Sequence, residues 1–288
     1  MARQVWITPR PPTWVPSLDH LQIKHRTKDD AIEQRLRPKR LPLPSSLPPE
    51  DEAKVEALLK QRGIISKYAK EQVSNKDLER LKPGSWLNDE VINFYGAMIL
   101  GRSDDSKENK ENGVVNGVVS TKKNKLLNVH YFSTFFWQKL VQDGYEKGRL
   151  AKWTKKFDLF SKDIVLIPVN HNNMHWTAAA INFQQKRIES YDSMMLDRSS
   201  VFKHLRGYLD AEHRNKKKKP FDFTDWEDHV LEDTPQQENG YDCGVFTCQF
   251  LESLSRGEET FNFAQSDIPY LRRRMIWEIG NARLTTDP

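Results

Sequence analysis

Hydrophobic positions recur at helical spacing in the first part of the chain and predict two helices there. The first opens at Pro48 and the acidic residues after it, because prolines and acids suit a first helical turn, and Gly63 ends it. The second has Asn88 or Asp89 as its N-cap. Its apolar face is formed by Val91, Ile92, Tyr95 and Ile99.

Short apolar or alternating runs occur further along the chain and predict strands. Residues 163–169 are a continuous apolar run, which is typical of a buried strand. Residues 175–183 form a second run, although the alanines within it would also fit a helix. Residues 187–193 alternate in polarity, and the polar link 184–186 has the length of a hairpin connection.

The other periodic segments predict helices that accompany these strands. The aromatic run 130–137 is interpreted as the start of a buried helix, and residues 198–214 as an amphipathic helix. Further helices are predicted at 244–254 and 268–279. Because the strands are consecutive and helices precede and follow them, the pattern predicts an α+β domain.

Composition divides the chain into an arm and a domain. Residues 1–48 are rich in proline and lack sustained periodicity, which favours a poorly ordered arm. Residues 49–288 are the predicted folded domain. Within it, residues 102–125 are dominated by Lys, Asn, Asp, Ser and Gly, and they are interpreted as a flexible insertion.

Charge and hydropathy limit where the protein resides. With 37% hydrophobic and 30% charged residues, the chain has the composition of a soluble protein. No segment approaches the roughly 20 apolar residues that span a bilayer, and the polar start lacks the apolar region of a secretory signal. We therefore expect a nuclear or cytoplasmic protein that is not secreted and does not contact a membrane.

Basic runs at 35–40 and 216–219 have two interpretations, nuclear import and plain solvation. Nucleic-acid binding is disfavoured, because no aromatic residues interleave these runs as a stacking platform would require.

The cysteine content excludes a disulfide scaffold, since the chain has only Cys243 and Cys248. On one predicted helix they would lie about 7.5 Å apart along the axis and point in different directions, which disfavours a disulfide between them. No paired histidine spacing completes a zinc site. We therefore expect neither a metal nor an organic cofactor.

Cys243 stands immediately before a predicted helix, and this position suits a nucleophile. The positive end of the helix would favour a thiolate. Gly244 would let a substrate backbone approach closely, and the amides of Cys243 and Gly244 are candidate oxyanion donors. The local sequence fits a small buried side chain equally well. For Cys248, inside the helix among aromatic residues, burial is the better interpretation.

His175 and Asp192 are the candidate base and its orienting acid. His175 starts one predicted strand and Asp192 ends the next, so a hairpin would bring them to the same open end. There Asp192 could hold the imidazole in one tautomer. His171 is a competing base, but it is predicted to lie in a solvated loop.

Five motifs occur in order along the chain. They are Trp86-Leu87-Asn88-Asp89, Phe132-Ser133-Thr134-Phe135-Phe136, His175-Trp176, Tyr191-Asp192-Ser193 and Gln236-Gln237-Glu238-Asn239-Gly240-Tyr241-Asp242-Cys243-Gly244. Over roughly residues 50–288 they resemble the catalytic domain of the Ulp/sentrin-specific proteases, which act on the ubiquitin-like modifier SUMO. The resemblance implies a papain-like cysteine protease fold.

The resemblance also implies roles for single residues. His175, Asp192 and Cys243 match the family triad, and Gln237 matches a side chain that helps to form the oxyanion hole. An amide donor is chemically suited to that task.

Further matches concern the substrate. Trp86 and Trp176 match two tryptophans that roof a narrow channel for a Gly-Gly tail, with core packing as the alternative for each. Asp89 matches an acidic contact to a basic residue of the modifier, with a helix N-cap as the alternative.

The implied function is a SUMO-specific endopeptidase and isopeptidase that acts as a monomer, in the nucleus or at the nuclear envelope by family habit. One alternative is a protease of the same fold for another ubiquitin-like modifier. A second is a catalytically silent SUMO-binding module. The insertion at 102–125 departs from the family pattern.

Overall fold

The computed structural model describes residues 42–111 and 127–285. The expected arm at 1–48 lies outside these residues apart from 42–48, and the expected insertion lies outside them from residue 112 to its end. For the residues outside the described ranges, the arm and the insertion stay predictions.

Helices and strands together form an α+β structure, as predicted. The helices are α1 Pro49–Lys60, α2 Asn75–Leu78, α3 Asp89–Glu111, α4 Phe135–Lys147, α5 Ser199–Lys217, α6 Cys243–Ser255 and α7 Ile268–Asn281. The strands are β1 Ile64–Tyr68, β2 Glu71–Ser74, β3 Val129–Tyr131, β4 Ile164–His171, β5 His175–Asn182, β6 Arg187–Tyr191 and β7 Glu227–His229. In the described part of the chain, no helix has the length and apolar character that a membrane crossing requires.

A five-stranded mixed sheet with the order β3-β4-β5-β6-β7 forms the centre. Strand β5 runs antiparallel to both of its neighbours, β4 and β6. The outer strands run parallel to their neighbours, β3 to β4 and β7 to β6. In the β5–β6 hairpin, Ala178 lies opposite Tyr191 and Asn182 opposite Arg187. The predicted hairpin is therefore confirmed.

Strand β5 is buried along its whole length because the sheet is covered on both faces. Ala178 and Ala180 belong to the apolar cluster that contains Phe246 of α6, whereas Ala179 and Ile181 belong to the cluster on the other face. Successive strand residues point to opposite faces, so a strand covered on both is largely apolar, as β5 is from Ala178 to Ile181. This packing places α6, and the cysteine at its start, against the sheet.

The aromatic run at 130–137 begins a helix only from Phe135, so the prediction was right for its last residues and wrong for its first. His130 and Tyr131 belong to β3, which pairs in parallel with β4, and helix α4 begins at Phe135. Aromatic residues favour strands as well as buried helices. Pairing with β4 decides between the two, and the local pattern does not contain that information.

The prediction of a flexible insertion was wrong for its first residues, because α3 continues through Glu111. Arg102 donates to Glu252 Oε1 at 2.6 Å and to Ser255 Oγ at 2.6 Å, which ties the helix to α6. The polar composition that indicated a loop includes Lys and Glu, and both of these are good helix formers.

The basic run 216–219 closes helix α5. Lys216 donates to the Thr154 carbonyl at 3.2 Å, and Lys217 pairs with Asp158 at 2.7 Å. Lys218 adopts a left-handed conformation at the helix C-cap. Cations at a helix C-terminus complement its dipole, so these lysines have a structural role.

A buried ion pair joins α7 to the residue before α6. Arg272 donates to Asp242 Oδ1 at 2.6 Å, and both side chains are 3% exposed. The same guanidinium donates to the carbonyls of Arg80, Lys82 and Ser85. Because Asp242 is the N-cap residue of α6, Arg272 fixes the start of this helix and the approach to Trp86 together.

Replacing Arg272 with Met should therefore lower the free energy of unfolding by about 3–5 kcal/mol, because Asp242 would remain as a buried charge without its cation. Chemical denaturation measures the loss. Arg273→Met is the matched control on the same helix, since Arg273 pairs with Glu52 and Glu56 while 33% exposed. We expect it to cost about 1 kcal/mol or less. Equal losses would contradict the importance of the buried pair.

Candidate active site

Cys243 is the first residue of α6 and is 2% exposed. The amides of Val245 and Phe246 donate to the Asp242 carbonyl, which starts the helix. Both cysteines are free. Cys248, inside the same helix, is fully enclosed, and burial together with the charge of Glu278 raises the pKa of its thiol. Of the two thiols, Cys243 is the one at a helix start.

The structure brings His175 and Asp192 together. His175 begins β5, and Asp192 follows the last residue of β6. Since Tyr191 lies opposite Ala178, the chain continues from Tyr191 toward the end of β5 that carries His175. The Nε2 of His175 lies 2.6 Å from Asp192 Oδ1, and both side chains are less than 10% exposed.

The Asp192 carboxylate is held by two further donors. The Met194 amide donates to Oδ1 at 2.8 Å, and Arg198 Nε donates to Oδ2 at 2.7 Å. Burial would raise the pKa of Asp192, but the hydrogen bonds from His175 and the Met194 amide, with the charges of His175 and Arg198, lower it. Asp192 is therefore a carboxylate at neutral pH. No local sequence pattern marks Arg198 as a partner of Asp192.

The imidazole of His175 lies between Asp192 and Cys243. Burial would lower its pKa, but the hydrogen bond to Asp192 and the interaction with Cys243 outweigh this and raise the pKa to about 9. Nδ1 is buried and makes no hydrogen bond of regular geometry with the described residues. Because Nε2 is engaged by Asp192, Nδ1 is the nitrogen left for the thiol. A cationic imidazole beside a sulfur is the environment of reactive cysteines.

His171 was expected in a solvated loop, and this was wrong. It is the last residue of β4, lies opposite His175 in the register, and has its Nε2 2.9 Å from Thr177 Oγ1. Burial, with the positive charges of Arg198 and His175, lowers the pKa of His171 to about 4. It is therefore neutral at pH 7.

Gln237 lies in the loop before α6 and is tied to the residue after Asp192. Its backbone N–H donates to the Ser193 carbonyl at 2.9 Å, and its side-chain Oε1 accepts from Ser193 Oγ at 2.6 Å. Its Nε2 donates to the Asn239 carbonyl. A side-chain amide carries two N–H donors, so one hydrogen is left over for another acceptor.

The two tryptophans differ in exposure. Trp86 is 41% exposed, whereas Trp176 is 5% exposed and belongs to the same apolar cluster as Cys243. Asp89 is the first residue of α3, and Asn88 is the cap, because its Oδ1 accepts from the Val91 amide at 3.3 Å. The N-cap alternative therefore applies to Asn88.

Gly244 has a packing role that the sequence analysis missed. A Cβ at this position would lie 2.8 Å from Leu87 Cβ, closer than side chains approach one another. The expected close approach of a substrate backbone at Gly244 stays a prediction, and Leu87 occupies the space that a Cβ would take. Gly244 thus lets the segment that carries Trp86 pack directly against the start of α6.

Gly244→Ala should lower the free energy of unfolding by about 1–3 kcal/mol through overpacking. Combining it with Leu87→Gly should cost less than the sum of the single losses, because every Leu87 side-chain atom that the new Cβ would meet is removed. Gly207→Ala is the matched control, since a Cβ at this exposed helical position meets nothing within 4 Å. It should stabilise by roughly 0.5–1 kcal/mol. Additive losses in a denaturation series would contradict the Gly244–Leu87 contact.

The described residues contain no group of three or more His, Cys, Asp or Glu side chains that could hold a metal ion.

Comparison with known proteins identifies the family. Residues 85–284 match the Ulp1 protease family, C-terminal catalytic domain. A sentrin-specific protease of Caenorhabditis elegans is 42% identical over 74% of this chain and 28% of its own length. Sentrin-specific protease 2 of Homo sapiens is 33% identical over 78% of this chain and 35% of its own length. The chain thus spans about a third of the length of these relatives.

Solved structures share the fold. The catalytic domain of a Chaetomium thermophilum Ulp1-like SUMO protease aligns with a TM-score of 0.69 at 24% identity, covering 88% of this chain and 96% of that one. The C-terminal Ulp1 protease domain in complex with Smt3, the yeast ortholog of SUMO, aligns with a TM-score of 0.65 at 24% identity, covering 82% and 96%. The α+β, papain-like fold that the motifs implied is confirmed. The chain belongs to the Ulp1 protease family.

Proposed function

We propose that this chain is a SUMO-specific cysteine protease. It cleaves SUMO precursors after Gly-Gly and hydrolyses the isopeptide bond between that glycine and a lysine of a conjugated protein. One observation carries the proposal: the thiol of Cys243, at a helix start, contacts an imidazole whose other nitrogen is 2.6 Å from the Asp192 carboxylate. Membership of a protease family supports it.

In this mechanism Cys243 is the nucleophile, His175 the acid and base, and Asp192 the orienting group. The Cys243 thiolate attacks the glycine carbonyl carbon, and the electron pair of the C=O bond moves to oxygen. As this tetrahedral intermediate collapses, the C–N bond breaks and protonated His175 gives its proton to the leaving amine. Neutral His175 then removes a proton from water, which hydrolyses the thioester and frees the thiol.

The oxyanion of the intermediate needs donors near Cys243. Gln237 has one amide hydrogen beyond its bond to Asn239, and the Cys243 backbone amide lies at the helix N-terminus. Since Gln237 is bonded to Ser193, its position is coupled to the strand end that carries Asp192.

Selectivity for a Gly-Gly tail is assigned to the tryptophans. Exposed Trp86 would cover the tail, and buried Trp176 would form the floor beside Cys243. A slot between indoles admits glycine and excludes larger side chains. Asp89, at the first turn of α3, would contact a basic residue of the modifier. The choice of SUMO is supported by the named activity of the sentrin-specific relatives.

Nuclear residence and a monomeric state are part of the same proposal. The basic run at 35–40, outside the described residues, supports nuclear import. The run at 216–219 does not add support, because Lys216 and Lys217 have partners within the domain.

A panel of modifier precursors and SUMO-lysine conjugates tests the function. The purified chain should release the tail of SUMO precursors and the SUMO of conjugates, and Cys243→Ala should abolish both. Cys248→Ala, which removes the other buried thiol, should retain activity. Cleavage of another ubiquitin-like precursor in preference to SUMO would support the alternative modifier. SUMO binding without turnover, and without labelling of Cys243 by a thiol-reactive SUMO-tail probe, would contradict the protease.

The pH dependence tests the role of His175. Activity should fall as pH rises through about 9, because the raised pKa of His175 sets where the imidazolium that protonates the leaving amine is lost. Asp192→Asn removes one of the two partners that raise this pKa and keeps the burial that lowers it, so the alkaline limb should move down by roughly one to two pH units. Asp197→Asn, a neighbouring exposed carboxylate, should leave the limb in place. A limb that stays near pH 9 in Asp192→Asn would contradict this assignment.

A further inference from the structure

Among the described residues, Arg198 is a charged side chain bonded to Asp192 that takes no part in the proposed mechanism. Its Nε donates to Asp192 Oδ2 at 2.7 Å, and its side chain is 17% exposed against 4% for Asp192. Most of this ion pair is therefore shielded from water. Shielding makes a charge pair stronger and more directional than an exposed surface pair.

The two oxygens of Asp192 have separate partners. Oδ1 accepts from His175 Nε2 and from the Met194 amide, whereas Oδ2 accepts from Arg198. A carboxylate bonded on both oxygens cannot turn about its terminal torsion without breaking a charge-assisted bond. Its Oδ1 is therefore kept on the line to Nε2.

Arg198 is itself on a rigid support, at the N-cap position of α5. The next residues, Val201 and Phe202, are buried against the sheet, and Asp197 Oδ1 accepts from the Ser199 amide at 2.8 Å to close the first turn. Helix α5 thus carries the guanidinium to Oδ2, the oxygen of Asp192 that His175 does not contact.

We propose that Arg198 is a positioning residue, whose guanidinium fixes the Asp192 carboxylate so that Oδ1 stays aimed at Nε2 of His175. The proposal rests on the proposed protease function, in which His175 is the acid and base and Asp192 orients it. Arg198 acts through Asp192 and has no contact with the reacting atoms.

The charged groups around Asp192 and His175 determine how removal of Arg198 should change the pKa of Asp192. The groups that face Asp192 and His175 are His171 from β4, Cys243 from α6, and Arg198 from the approach to α5. His171 is neutral at pH 7, so Arg198 is the fixed cation of this set. Its charge helps to keep the pKa of Asp192 low. Without it, Asp192 should take up a proton at a higher pH.

Steady-state kinetics on a fluorogenic SUMO C-terminal substrate test this in three variants. Arg198→Met should lower kcat roughly 10- to 100-fold, with KM within about twofold of the original value. The acid limb of its pH–rate profile, where activity falls as Asp192 takes up a proton, should move up by roughly one pH unit. Arg198→Lys keeps the charge but loses the planar fork, so the acid limb should return while kcat recovers only in part.

Arg206→Met is the matched control. Arg206 is on the same helix and also donates through Nε to a carboxylate, that of Asp228, at 2.8 Å. This variant should keep kcat and the pH profile. A thermal melt of each variant separates loss of folding from loss of positioning, since unfolding lowers the active fraction without moving the acid limb.

The rate of Cys243 alkylation by iodoacetamide, read by peptide mass spectrometry across pH 5–9, needs no SUMO substrate. If the unmodified chain fails on SUMO substrates but Arg198→Met still slows this alkylation, the protease proposal fails and positioning stands. If the chain is active and Arg198→Met matches it in kcat, acid limb and alkylation, positioning fails.

Discussion

The buried contact between Arg272 and Asp242 is the constraint on which the rest of the site depends. Its guanidinium serves the carboxylate before α6 and carbonyls of the segment that leads to Trp86. These parts of the chain are far apart in sequence, and each has polar groups that burial would leave without partners. One cation satisfies them together, because a planar fork of donors can face several acceptors. The helix start and the tryptophan segment consequently have one fixed relation.

A second shielded arginine–carboxylate pair occurs at Asp192. Asp192 accepts from Arg198 just as Asp242 accepts from Arg272, and each acid adjoins a residue of the proposed chemistry. The results differ with the neighbours. Beside Asp192, the imidazole of His175 has a pKa of about 9, whereas His171, one strand over, has a pKa of about 4. Two histidines in register thus hold different charges, because interactions with Asp192 and Cys243 outweigh burial at His175, whereas His171 has burial and two neighbouring cations.

Sequence patterns predicted the elements whose periodicity is strong. The β5–β6 hairpin and helix α6 were predicted because their apolar runs match one period over their length. The failures occurred where local pattern was ambiguous. His130 and Tyr131 form a strand because they pair with β4. Helix α3 continues past Arg102, whose side chain forms an ion pair with Glu252. Pairing partners distant in sequence decided both.

The sequence by itself determined the family, through ordered motifs, and the set of chemical groups: a thiol at a helix start, an imidazole and a carboxylate at one end of a hairpin. Only the tertiary structure decided what holds them. No local sequence pattern indicates the roles of Arg198, Arg272 and the Gly244–Leu87 contact, since the neighbours of an arginine or a glycine in the sequence do not show what it packs against. Their roles come from burial and from partners on other elements, and those exist only once the chain has packed.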